Sequence, residues 1–167
     1  MNWRRIVAGL IVIFAAMQFV PVDKSHPPIT DPIVFKNADA ELIARRSCYD
    51  CHSNENVWPW YGNIAPVSWV VANHVAEGRS VLNFSDIAGT IANGGERGER
   101  GEAGEAGEAG EGGAGGSAAD IVDESAETIN EGEMPPAYYL LTHPDAALSA
   151  SDKATLIAGI KEALANR

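Results

Sequence analysis

Cys48-Tyr49-Asp50-Cys51-His52 constrains this chain more than any other stretch. The two cysteines are the only ones in 167 residues, and a histidine follows the second at once. Two thiols on one helical turn can each add to one vinyl group of the same porphyrin. The adjacent imidazole can then reach the iron. C-x-x-C-H is the attachment signal for a c-type haem, so the spacing predicts one covalent haem on Cys48 and Cys51 with His52 as an iron ligand. Other uses of a cysteine pair fit less well. A thioredoxin-like redox pair needs a βαβ setting, and a structural zinc site wants a second ligand pair. His26, His74 and His143 are scattered along the chain. A plain disulfide would leave His52 unexplained.

The chain begins Met1-Asn2-Trp3-Arg4-Arg5 and continues as an apolar run from Ile6 to Val20. A short basic head before an uncharged apolar stretch is an export signal. Residues 1–22 therefore read as a signal anchor or a signal peptide. The anchor is the better fit, because Ala15 to Pro21 makes a poor cleavage site. Either reading puts the rest of the chain in the cell envelope, on the periplasmic side, where thioether attachment takes place. The net charge of −11 argues against a nucleic-acid binder, which needs a basic face. It also leaves the N-terminal helix as the means of membrane attachment.

Residues 23–36 hold Pro27, Pro28 and Pro32 and read as an extended tether. The domain follows over 37–167. A first helix is expected from Asn37 or Asp39, with Leu42, Ile43 and Arg46 at helical spacing. Pro66 opens a second, with Val67, Val70, Val71, His74 and Val75 on one face and Gly78 as its stop. Ser85 and Asp86 start another, carrying Ile87 and Ile91. At about 94–119 glycine recurs at every third position from Gly95 to Gly110, between glutamates. With no proline, this predicts a flexible insertion rather than a collagen-like triple helix. Order resumes near Asp120, with Ile121, Val122, Ala126 and Ile129 on one face up to Gly132. The last helix starts at Ser149 or Ser151; Ser149 with Asp152 makes a capping box, and Leu156, Ile157, Ile160 and Leu164 form its apolar face. No strand alternation is visible after residue 37, so the domain is expected to be small and all-α, with long loops at 53–65, 94–119 and 133–148.

The iron needs a second ligand or an open position. Met1 and Met17 belong to the export segment, which leaves Met134, set in Glu133-Met134-Pro135-Pro136. Prolines after the methionine hold it stiffly outside any packing stripe. His74 and His143 are the weaker candidates. A His/Met pair raises the reduction potential and leaves no position for substrate, which favours an electron carrier over a catalyst. A haem-based sensor or ligand-binding module is the alternative, and a peroxidase-like enzyme is a more distant one. Trp58, Trp60 and Tyr61, close to the haem peptide, are expected to wall the porphyrin. By analogy with other c-type cytochromes, Pro66 is expected to offer its carbonyl to Nδ1 of His52.

These stretches together resemble the haem-binding domain proteins of bacterial envelopes, a cytochrome c-like family. The resemblance runs through Cys48 to Asn54, Trp58-Pro59-Trp60-Tyr61, Ile64 to Trp69, Glu77-Gly78-Arg79 and Leu82 to Ser85. It continues at Gly132 to Pro136, Tyr139, His143-Pro144 and Leu148-Ser149. It implies a monohaem, all-helical cytochrome c-like domain with Cys48, Cys51 and His52 as the attachment site and Met134 as distal ligand. The glycine-rich insertion departs from the family pattern. The resemblance names no redox partner.

Overall fold

The computed structural model describes residues 2–93 and 117–167, and its regular structure over these is helical. The elements are α1 (Trp3–Met17), α2 (Ala38–Ser47), α3 (Tyr49–His52), α4 (Val67–Val81), α5 (Ile87–Asn93), α6 (Ala118–Glu131), α7 (Ala137–Leu140) and α8 (Ala150–Leu164). Short 3₁₀ turns lie at Trp60–Asn63 and Pro144–Ala146. No strand is present among the described residues, only an isolated bridge between Asp31 and Asp86. The all-α expectation therefore holds.

The core forms where α2, α6 and α8 meet. Ile43 and Ala44 of α2, Ile121 and Ile129 of α6, and Leu156, Ile160 and Leu164 of α8 are all buried. Leu156, Ile160 and Leu164 recur every four residues and Ile121 and Ile129 lie about two turns apart, which puts each set on one face of its helix. Leu42 is exposed, so the inward face of α2 is Ala40, Ile43, Ala44 and Ser47 rather than the Leu42 side. Gly159 lets α8 lie close to α2: a Cβ there would overlap that of Ala40. Phe84 joins this core to the Cys48–His52 turn, stacking on Tyr49 with ring centroids 5.2 Å apart.

Helix ends follow their sequence signals. Asn37 caps α2 by accepting from the Asp39 N–H. Ser117 with Asp120 and Ser149 with Asp152 form reciprocal capping boxes on α6 and α8. Gly132 closes α6 in the left-handed region, at φ 82°, where a residue without Cβ fits best.

Several expectations are corrected. Gly78 does not stop α4, which runs on to Val81. It serves instead as a crossing point, because a Cβ there would meet the Cys51 carbonyl oxygen at 2.7 Å. The buried positions of α4 are Ser68 and Val75, whereas Val67 and Val70 face outward. Residues 23–36 are extended but are not a free tether. Ile33 is buried and donates its N–H to Phe84 O at 2.8 Å, and Thr30 N donates to Ser85 O at 3.1 Å. Arg167 pairs with Asp31 and fastens this arm to the chain end. Nor does the expected membrane helix appear: no helix among the described residues is long and apolar enough to cross a membrane. α1 has 15 residues, about 22 Å against a hydrocarbon core of roughly 30 Å. The expected insertion at 94–119 lies mostly outside the described residues, and at its far edge Ala118 already belongs to α6.

Hydrogen bonds from the Ser117 and Ser149 backbones, then from their hydroxyls, hold Asp120 and Asp152 below the usual carboxylate value of 3.8. A carboxylate whose folded pKa lies below its unfolded one stabilises the fold above the unfolded value. That contribution is lost as the pH falls through the folded value. Ser149→Ala removes the hydroxyl that accepts the Asp152 N–H and donates to its carboxylate, and should cost about 1 kcal/mol of cap stabilisation at pH 7. The deficit against wild type should shrink below about pH 4, as read by urea unfolding at both pH values.

Candidate functional site

α3 is a single turn, Tyr49–His52, entered from Cys48 where α2 ends. The N–H groups of Cys51 and His52 both donate to Cys48 O, at 3.1 and 2.9 Å. This closes the turn that sets the two sulfurs and the imidazole side by side. Both thiols are free, so no disulfide joins them. His52 is gripped by the segment after α4: its Nδ1 lies 3.0 Å from Leu82 O, and its carbonyl accepts the Phe84 N–H at 2.7 Å.

The turn forms part of the wall of a cavity of about 240 Å³. Cys48, Cys51 and His52 line it together with Met134, which arrives from the loop after α6. Val81, Leu82 and Phe84 add apolar surface, as do Ile121, Ile129, Pro135 and Ile160. Met134 is tied to α6 by its N–H, which donates to Thr128 O at 3.3 Å, and the residue is 38 % exposed. The donor set is two uncrosslinked thiols, an imidazole and a thioether on a mainly apolar surface. That chemistry suits covalent haem, whose iron accepts histidine and methionine. Among the described residues, no group of three His, Cys, Asp or Glu side chains is placed to hold a bare metal ion.

Burial pushes the Cys48 thiol up to about 12, and the neighbouring Cys51 adds to this. Burial likewise raises Cys51 to about 11, with the charge of Asp50 adding to it. Both are thiols at neutral pH. Thioredoxin-like pairs work through a lowered pKa, so the shifts run against that use.

Trp58, Trp60, Tyr61 and Pro66 do not line the cavity. Residues Trp60–Asn63 form a 3₁₀ turn that packs on α4, which leaves Trp60 76 % exposed. Tyr61 shares a hydrogen bond with Thr142 Oγ1 at 3.1 Å. The Pro66 carbonyl accepts the Trp69 N–H at 3.0 Å, so its expected bond to His52 is replaced by that of Leu82. The physical reason is that α4 does not end at Gly78. It brings Leu82, not its own start, beside the attachment turn.

His74 lines the cavity and pairs with Tyr138, its Nδ1 lying 3.2 Å from the phenol oxygen. His143 is not in the lining; it stacks on Tyr139 with centroids 4.1 Å apart. His26 lies elsewhere, its Nδ1 3.1 Å from Asn54 O. Sequence reasoning gave no role to Asp50, Tyr138 or Tyr139. Asp50 sits between the two cysteines, and Tyr139 donates its phenol proton to Asp50 Oδ2 at 2.8 Å. The adjacent tyrosines directly after the Met-Pro-Pro loop were the available signal.

The chain matches the family model described as the haem-binding domain, over residues 12–111 and 108–162. No curated protein and no solved structure matches it.

In chain prepared without cofactor, alkylation by iodoacetamide should be slow at pH 7.5. It should quicken about tenfold per pH unit as the thiolate fraction rises, with Cys51 ahead of Cys48. Mass spectrometry of the alkylated peptides across pH 7–11 checks the order and the slope.

Proposed function

The chain belongs to the haem-binding domain family, and on that premise we propose that it is a monohaem c-type cytochrome that carries electrons in the cell envelope. The observation that carries the reading is the convergence of Cys48, Cys51, His52 and Met134 on one cavity. On this reading Cys48 and Cys51 would hold the haem by thioether bonds, and His52 and Met134 would bind its iron. When bound, the haem supplies a reversible one-electron couple. The chain's part is to orient and to exclude water. The Leu82 carbonyl orients the His52 ring through Nδ1. Apolar side chains of α4, α6 and α8 keep the surroundings dry. The apolar N-terminal segment supports export, and export supplies the compartment in which the thioethers form. Electrons would pass to and from a redox partner protein, and the net charge of −11 argues against nucleic acid as a partner.

A second reading is a haem-based sensor from which Met134 departs. The exposure of Met134 favours it, as does α7, which buries none of its residues. Carbon monoxide separates the two: a fixed His/Met pair binds it slowly or not at all.

Protein matured in an export-competent host should give a pyridine haemochrome spectrum with one haem per chain. That haem should resist acidified organic solvent and fall to near zero in the Cys48→Ala, Cys51→Ala double variant. A haem-free or fully extractable product would overturn covalent binding. Met134→Ala should lower the potential and take up carbon monoxide stoichiometrically; an unchanged spectrum refutes its ligand role.

A further inference from the structure

The segment from Pro136 to Leu141 contains no buried residue and is held by side-chain hydrogen bonds. α7 buries none of its residues, and Leu141 beyond it is 83 % exposed. Three phenols tie this segment down. Tyr138 meets His74, Tyr61 meets Thr142, and Tyr139 donates to Asp50. The first two bonds are exposed, where water competes. The third is part-buried, short at 2.8 Å, and runs to a carboxylate. Hydrogen bonds to charged groups are the stronger class.

The acceptor has a special place. Asp50 stands between the two attachment cysteines, and its other oxygen accepts the Val57 N–H at 3.2 Å. The carboxylate is thus fixed to the same turn that presents His52. On the donor side, Pro135 and Pro136 link Met134 to α7. Their rings fix φ and leave little slack between Met134 and Tyr139. The stack of the Tyr139 ring on His143, tilted by 10°, holds the phenol in line.

We propose that Tyr139 is a positioning residue, whose hydrogen bond to Asp50 latches the Met134 loop to the attachment turn and so keeps the Met134 sulfur on the iron. The proposal rests on the reading of Met134 as axial ligand. Burial, reinforced by the bond to Asp50, raises the Tyr139 pKa above that of an ordinary phenol, so the group stays a donor at any physiological pH.

The test uses haem-loaded full-length wild type, Met134→Ala, Tyr139→Phe, Asp50→Ala, the Tyr139→Phe/Asp50→Ala double variant and Tyr61→Phe. Two quantities are read: the methionine-to-iron charge-transfer band of the ferric form, and the rate of carbon monoxide binding to the ferrous form. Wild type should have the band and Met134→Ala should lack it. Tyr139→Phe should weaken the band and speed carbon monoxide binding about tenfold. Asp50→Ala should do the same, and the double variant should go no further than either single one, as expected for two groups acting through one bond. Tyr61→Phe, which loses an exposed bond of the same segment, should match wild type. A full band and a wild-type rate in Tyr139→Phe overturn the latch. So do additive effects in the double variant, or an equal effect of Tyr61→Phe. A wild type without the band overturns the Met134 ligation itself, which is a separate failure.

Discussion

His52 is held at both ends by the stretch from Leu82 to Phe84, and most of the remaining structure serves that grip. The ring nitrogen meets Leu82 O and the carbonyl receives the Phe84 N–H. For Leu82 to arrive there, α4 must pass directly over the attachment turn. Gly78 permits the passage, because any side chain at that position would strike the Cys51 backbone. For Phe84 to stay there, its ring must be covered. Tyr49 stacks on it, Phe35 of the extended arm lies against it, and the arm itself pairs with residues 84 and 85. An attachment turn of four residues has no stability alone, since helices this short do not form in water. Its shape is imposed by α4 and by the segment that leaves it.

The two sides of the cavity are held by different physics. The attachment turn is backed by Phe84, Tyr49 and Leu82, all in the buried core. The Met134 side leans on the capped end of α6 and on phenolic hydrogen bonds. Regions with few buried apolar contacts open at lower free energy than the core. Opening of the site is therefore expected to begin on the methionine side, with the histidine retained. On the proposed ligation, the strength of that second anchorage would decide between an electron carrier and a sensor.

Much of this was legible in the sequence. Amphipathic spacing located α2, α5, α6 and α8, and both α6 and α8 end or begin on the glycine and serine signals expected. Cys48 to His52 and Met134 were identified from local chemistry, and they converge although 82 positions separate His52 from Met134 in the chain. The failures share one cause, which is that pairing at a distance leaves no local pattern. Gly78 looked like a helix stop because glycine disfavours helix interiors, whereas a tertiary close approach decided its role. The prolines of 23–36 read as a tether, yet extended chain is also what pairs with residues 84 and 85. Trp58, Trp60 and Tyr61 are near Cys48–His52 in sequence, but the turn at Trp60–Asn63 packs on α4 and these rings do not line the cavity. The Asp50–Tyr139 bond spans 89 positions and could not be read from either end.

With a haem bound as proposed, the charges around the cavity would bear on its reduction potential. Asp50, Glu77 and Glu124 all line it, and His74 is the basic side chain of the lining besides His52. Negative charge near an iron favours the ferric state, and it does so more strongly in a dry site than in water. On the proposed ligation, a methionine axial ligand pulls the potential up while these carboxylates pull it down. Each carboxylate acts through whatever screens it. Asp50 receives the Tyr139 phenol and the Val57 N–H, and Glu77 receives the Asn73 amide at 2.7 Å. Donors on a carboxylate spread its charge without removing it. On that ligation the Tyr139 bond would have two opposed consequences: it would hold a ligand that raises the potential, and it donates to a carboxylate that lowers it. Because the ligand acts directly on the iron and the carboxylate acts across the protein, the ligand is the larger of the two.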